Sequence, residues 1–216
     1  MKTLRKFWKN NRSLIIFIAL MSVFRSAVAD WYYVPTGSMQ PTIAVGDRIF
    51  TNKMAYDLRV PFTHISLLQL GDPQAGDIIV FASKKADNQL IKRVIGVPGD
   101  TVSLKGNELI INGKKLNYRD LQSTVAAGDK IEYLHGQQHT IRVAKHSLLS
   151  AQFDDITIAQ NYYLVLGDNR DNSADSRVIG LIPRSEVMGK AAGVILSLDA
   201  NNHYLPRKGR FFKPLI

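Results

Sequence analysis

The chain of 216 residues contains no cysteine, which removes disulfide frameworks, thiolate zinc centres, iron–sulfur clusters and cysteine nucleophiles together. The absence leaves the compartment open, because exported proteins also do without disulfides. Long apolar runs are scarce as well. The longest, Leu14–Phe24 (LIIFIALMSVF), has eleven residues with Ser22 as its polar member, short of the ~20 that a membrane-spanning helix usually takes. Acidic residues are missing from both ends: residues 1–12 carry Lys2, Arg5, Lys6, Lys9 and Arg12, and residues 204–216 carry Arg207, Lys208, Arg210 and Lys213. These ends hold nine of the 28 Lys and Arg behind the net charge of +10, leaving 19 bases against 18 acids over residues 13–203. A near-neutral body argues against a basic nucleic-acid-binding face and for a membrane-associated end. With 45% hydrophobic residues spread along its length, the chain can bury a core, so disorder is excluded as its main state. There is no internal repeat and no low-complexity tract.

The amino terminus admits two readings. A basic stretch, a short apolar core and Ala27-x-Ala29 before Asp30 match a cleavable secretory signal. Against that, Ala27, Val28, Trp31, Tyr32, Tyr33 and Val34 extend the apolar character, with the aromatics placed for an outer interface and Arg25 able to snorkel. Both readings keep the five positive charges inside and export the remainder. The division expected is a cytoplasmic basic tail over residues 1–12, a transmembrane anchor over 13–33 and an extracytoplasmic domain over 34–216.

Beyond residue 34 short Ile- and Val-rich runs alternate with Gly, Asp and Asn, as in Asp77–Phe81, Leu90–Val97, Thr101–Leu104, Glu108–Ile111 and Tyr162–Leu166. Runs of this length and composition predict strands, so the fold is mainly β. Asn112-Gly113 between apolar flanks predicts a tight hairpin turn. The more polar stretch over about 113–160 reads as an inserted smaller β lobe.

Candidate chemistry begins with the histidines. His135 and His139 are four apart, but Gly136 stands where a zincin helix needs Glu, and His146 misses the extended spacing by one. His64 and His203 are isolated, leaving a histidine triad unsupported. The loop Gly167–Arg177 (GDNRDNSADSR) is rich in Asp and Asn, yet an EF-hand register from Asp171 puts Ser176 at the glycine position and Ile182 at the glutamate position. Thus no metal site is expected. Pro35–Thr42 (PTGSMQPT) holds Ser38 between two prolines, which composition alone reads as a linker. On a strand Leu90, Lys92 and Val94 share one face and Ile91, Arg93 and Ile95 the other, so both basic residues have apolar neighbours.

Four blocks occur in order: Thr36-Gly37-Ser38-Met39-x-Pro41-Thr42, Gly76–Phe81 (GDIIVF), Lys92-Arg93-Val94-Ile95-Gly96-x-Pro98-Gly99-Asp100, and Gly167–Arg177. Their order and their place after the apolar segment strongly resemble bacterial type I signal peptidase. The resemblance implies an antiparallel β-sheet catalytic domain with an inserted smaller β lobe and one amino-terminal transmembrane helix. It implies Ser38 as nucleophile and Lys92 as general base, with an oxyanion hole from the Ser38 N–H and the Thr36 hydroxyl. Many relatives carry Ser at the Thr36 position, and the β-branched residue restricts χ1. Ser173 would hydrogen-bond the neutral Lys92 amine, and Asp175 with Arg177 would form a supporting ion pair. Met39, Ile43 and Ile91 would lie near small apolar pockets for Ala at the −1 and −3 sites of the substrate.

The implied chemistry has a physical requirement. A lysine accepts a serine proton only when neutral. At its ordinary pKa it is neutral about once in 2,500 molecules at pH 7, and at a pKa of about 8 in roughly a tenth of them. The expected function is removal of signal peptides from exported preproteins, at the outer face of the cytoplasmic membrane. No cofactor is expected; the partners are the signal peptides and the lipid bilayer, with the chain a monomer. Two rivals are a peptidase specialised for pilins or conjugation proteins, and a non-enzymatic periplasmic β-domain in which Ser38 belongs to a linker.

Overall fold

The computed structural model describes residues 2–63, 65–121, 128–144, 152–199 and 202–215; His64 and His146 lie outside them. A helix runs from Lys2 to Ala27 and a strand follows over Ala29–Tyr33. The helix stops where Lys53 Nζ donates to the free carbonyl of Arg25 at 2.8 Å and also reaches Asp30 at 3.2 Å, a cation placed on the negative end of the helix dipole. Arg25 pairs with Asp30 at 2.7 Å and lies 4.2 Å over the Trp31 ring. The stretch 29–33 is therefore sheet rather than the end of a helix, pairing residue by residue from Ala29↔Asn52 to Tyr33↔Arg48. No helix among the described residues is long and apolar enough to cross a membrane; the apolar run of the first helix is closed off by Arg12 and Arg25.

The expected mainly β, antiparallel architecture is found. The main sheet runs in the order 29–33, 47–52, 187–199, 78–83, 88–96, 162–166, 182–183. Its spine is the 13-residue strand Val187–Asp199, which pairs with Asp47–Asn52 on one side and Ile78–Ser83 on the other. Ile78–Phe81 is buried along its whole length, as a continuous apolar run in a two-sided strand should be. Ile49, Ile78, Val80, Ala191 and Val194 form a core with Val34, Met39 and Ile43. On the other side of the sheet Ile79, Phe81, Val94, Val165 and Val187 form a second.

Two smaller sheets make the lobe. One orders 153–157, 101–105, 108–111 and 114–115; the other orders 117–120, 129–134 and 137–142. Phe153–Thr157 returns to pair with Thr101–Lys105, so the first of these sheets takes in residues from 101 onward as well as part of the expected 113–160 stretch. The expected hairpin at Asn112-Gly113 is present, with φ of 51° and 75°, both in the region a two-residue primed turn demands. His135-Gly136 makes a second such turn, with φ of 46° and 81°, between strands 129–134 and 137–142.

Candidate active site

Ser38 lies in the irregular segment between the strands Ala29–Tyr33 and Asp47–Asn52. Met39 and Ile43, 1% and 0% exposed, pin that segment into the core. Ile43 N donates to Met39 O at 2.9 Å and Gln40 N to Gly37 O at 3.1 Å, closing two short turns around the serine.

Lys92 reaches Ser38 from the strand Asn88–Gly96, whose pairing with Ile78–Ser83 sets Lys92 opposite Ile79 and Ile91 opposite Val80. The alternation of the strand separates the two basic neighbours. Lys92 Nζ lies 2.9 Å from Ser38 Oγ and 3.0 Å from Ile91 O. Arg93 points the other way and forks onto Asp168, with Nε–Oδ1 and Nη2–Oδ2 both 2.9 Å. Lys92 is 2% exposed. Burial pushes its pKa down from 10.5 to about 8, against the opposing pull of Asp175 and Asp168. The arrangement therefore supplies a hydroxyl and an amine in contact, with the amine neutral in an appreciable fraction of molecules near neutral pH.

The acidic loop is a clamp. Asp168 accepts from Arg93 and from Thr42 Oγ1; burial alone would raise its carboxyl, but the Arg93 guanidinium more than offsets this and holds it low. Asp171 accepts from Asn107 Nδ2 at 3.0 Å and Ala144 N at 2.7 Å. Asp175 accepts from Gly167 N at 3.0 Å and pairs with Arg177 at 2.7 Å, and Arg177 Nη2 also donates to Arg170 O. These aspartates are thus engaged by the protein itself, and no cluster among the described residues could hold a metal ion. Gly167 is needed for space: a Cβ there would stand 2.5 Å from Ser38 O and 2.3 Å from Ser173 Oγ.

The expected site residues fall into distinct positions. Ser38 and Lys92 touch, and the Asp175–Arg177 pair is formed. Ser173 Oγ is buried with no hydrogen-bond partner, and the bond expected from it to Lys92 is not made, since Nζ turns to Ser38 and Ile91 O instead. A cavity of about 210 Å³ is lined by Thr36, Ser38, Met39, Ile91 and Lys92, with Tyr32, Val34, Val80 and Leu90 among its apolar walls. Ile43 does not reach this cavity and sits in the core behind Met39. Thr36 is exposed at the rim.

Several contributors carried no local spacing signal. Arg93, Asp168, Thr42 and Asn169 meet across the fold, Asn169 contacting Gly37 from 132 residues away. Glu132 of the lobe is fully buried and receives Arg170 at 2.8 and 2.6 Å and the Tyr118 hydroxyl at 2.7 Å. His139 Nε2 stands 3.1 Å from the same carboxylate, in poor line for a hydrogen bond. This buried histidine serves the lobe and does not touch Ser38.

Comparison with known proteins gives a consistent relationship. The pattern of signal peptidase, peptidase S26, matches residues 7–196. Signal peptidase I of Pseudomonas aeruginosa is 36% identical over 199 residues, covering 85% of this chain and 69% of its own. Signal peptidase I P of Bacillus subtilis subsp. natto is 31% identical over 193 residues, covering 89% and 90%. A solved signal peptidase I from Enterococcus faecalis V583 aligns at 32% identity with 56% of this chain and 98% of its own, at a TM-score of 0.37.

Proposed function

Since the chain belongs to the bacterial type I signal peptidases of the peptidase S26 family and is a serine endopeptidase, we propose that it removes amino-terminal signal peptides from exported preproteins with a Ser38/Lys92 dyad. The observation that carries this reading is the buried Lys92 amine 2.9 Å from Ser38 Oγ. Neutral Lys92 takes the hydroxyl proton as Oγ attacks the scissile carbonyl carbon. The developing oxyanion is held by the Ser38 N–H and the Thr36 hydroxyl. Lys92, now an ammonium, passes its proton to the leaving amine, and the signal peptide stays on Oγ as an ester. Water then attacks that ester with Lys92 again as base, releasing the signal peptide and restoring Ser38.

Specificity follows from the cavity walls. Ile91, Met39, Val34 and Leu90 leave room for small side chains at −1 and −3 of a peptide bound extended. The strand Asn88–Gly96 supports that binding: its pairing with Tyr162–Leu166 begins only at Arg93, so no described strand covers the second edge of 88–91. Main-chain bonds along that edge would supply affinity and the pocket discrimination.

The chain works at the outer face of the cytoplasmic membrane, with the first helix in contact with the bilayer. The exposed apolar residues of that helix and those of the Phe62–Leu70 segment support this placement, and Phe62 N donates to Ser26 Oγ at 2.5 Å, bringing the two surfaces together.

The test is cleavage of a synthetic preprotein by the wild type, Ser38→Ala, Lys92→Ala and Lys92→Arg. All three variants should be inactive, and Ser38→Ala combined with Lys92→Ala should lose no more than either alone. Turnover by Lys92→Arg would remove Lys92 as base, since a guanidinium does not give up its proton. Unchanged turnover by Ser38→Ala would leave Ser38 in a linker.

A further inference from the structure

We propose that Asn169 is a positioning residue for the oxyanion hole: its side-chain amide holds and polarises the peptide unit that carries the Ser38 N–H. The inference rests on the Ser38/Lys92 reading and adds to it a residue that touches neither the hydroxyl nor the amine. Asn169 Nδ2 donates to Gly37 O at 2.9 Å. That carbonyl and the Ser38 N–H belong to one planar peptide unit, so a bond fixing the oxygen also fixes where the N–H points. Gly37 O accepts a second bond from Gln40 N at 3.1 Å, which engages both its lone pairs. An N–H whose carbonyl accepts hydrogen bonds is the stronger donor, because the peptide dipole is enhanced.

The amide is itself held for this task. Asn169 is 8% exposed, and its backbone N donates to Ser38 O at 3.0 Å. One residue thus grips the carbonyls on both sides of the Ser38 α-carbon, one through its side chain and one through its main chain. Its neighbour Asp168 is fixed by Arg93, and Asp168 O accepts from Arg142 N at 2.7 Å. The orientation of the amide follows from its partner, since the oxygen end would face another carbonyl oxygen. The main-chain bond survives any substitution other than proline, so the docking of the loop and the polarisation of the peptide unit can be separated by mutation.

The experiment compares wild type with Asn169→Leu, which keeps the side-chain length without a donor, and Asn169→Asp, which sets a carboxylate against the carbonyl. On a cleavable preprotein peptide kcat should fall roughly tenfold to hundredfold, part of the 10²–10³ lost when a whole oxyanion donor is removed, with KM within about twofold. The acidic limb of the pH profile should stay in place, because Lys92 is untouched. Affinity for a peptide boronate that forms a tetrahedral adduct on Ser38 should fall in step with kcat, while affinity for an uncleavable peptide should hold. The ¹⁵N amide resonance of Ser38 should shift in the absence of any peptide. A kcat within about twofold of wild type, or an unmoved Ser38 resonance, would overturn the proposal; so would parallel loss of kcat, peptide affinity and thermal midpoint, which is what a structural role produces. If Asn169→Leu does not fold, Asn169→Ala carries the same readings. Failure of the wild type to cleave would instead defeat the Ser38/Lys92 reading and the oxyanion role with it, while the Ser38 resonance would still report whether Asn169 polarises that peptide unit.

Discussion

An ammonium that is 2% exposed and has two polar partners is held in the folded protein at a cost, and that cost favours the neutral amine. The shift of Lys92 from 10.5 to about 8 corresponds to roughly 3 kcal/mol against the charged form. Because the folded value is the lower one, the cost is fully present below about pH 8 and disappears as pH rises toward 10.5. Lys92→Met should therefore abolish cleavage and yet raise unfolding stability at pH 6–7 by about 1–3 kcal/mol, as measured by urea unfolding. A variant no more stable than wild type would mean that the amine is not strained by burial. At this scale the chain was only partly legible. Alternation put Lys92 and Arg93 on opposite faces without saying which faced Ser38. The reason for the outcome is Asp168, which captures the guanidinium from a loop 75 residues away. Ser173 shows the opposite limit: the resemblance gives it a hydrogen bond to the Lys92 amine, but its buried hydroxyl stands over Gly167 and makes no hydrogen bond.

Short strands with clean boundaries were readable as elements because their apolar runs end in turn residues. Glu108–Ile111 and Tyr162–Leu166 stand where their composition put them, and the Asn112-Gly113 turn joins its strands as that dipeptide requires. The longest strand left little trace. Val187–Asp199 holds Gly189, Ala191, Ala192 and Gly193, which break the alternation. Packing explains them, since a Cβ at Gly189 would stand 2.7 Å from Asn52 O, and the ladder shifts register between Ala191 and Gly193. Contacts between elements were the least legible of all. The lobe strand 129–134 reaches the loop Gly167–Arg177 through Glu132 and Arg170, and Arg170 O in turn holds Arg177. Burial would raise the Glu132 carboxyl, but Arg170 and His139 hold it well below its usual 4.5. Its contribution to stability is thus full above pH 4.5 and is lost as the pH falls toward the lower folded value. Glu132→Gln leaves a guanidinium buried without its counter-charge, and should cost about 3–5 kcal/mol at pH 7. Equilibrium unfolding checks this; a loss under about 1 kcal/mol would show that the pair does not tie lobe to loop.

For the whole molecule the open question at the amino terminus turns on exposure. Ala27-x-Ala29 fits the small-residue rule expected of a substrate, yet Ala27 and Ala29 are 6% and 4% exposed and Ala29 is paired with Asn52. A protease needs an extended segment with a free edge, so the intact chain should predominate over one beginning at Asp30. Amino-terminal sequencing of the membrane fraction decides this, a dominant start at Asp30 being the contrary result. The apolar surface bears on where the molecule works. Phe62, Leu67 and Leu68 are 70%, 64% and 56% exposed and do not line the cavity beside Ser38 and Lys92. Replacing all three by Ser should weaken binding to phospholipid vesicles while leaving cleavage of a short soluble peptide unchanged. Equal vesicle binding would show that this segment is not the one that meets the bilayer.

The central claim is that a neutral Lys92 is the base for Ser38, and the pH dependence of kcat/KM on a soluble peptide tests it most directly. Activity should rise along a single acidic limb with its midpoint near the value of about 8 that burial imposes on Lys92, and the limb should stay in place in His139→Gln. A midpoint in the histidine range that moves when His139 is replaced would contradict the assignment.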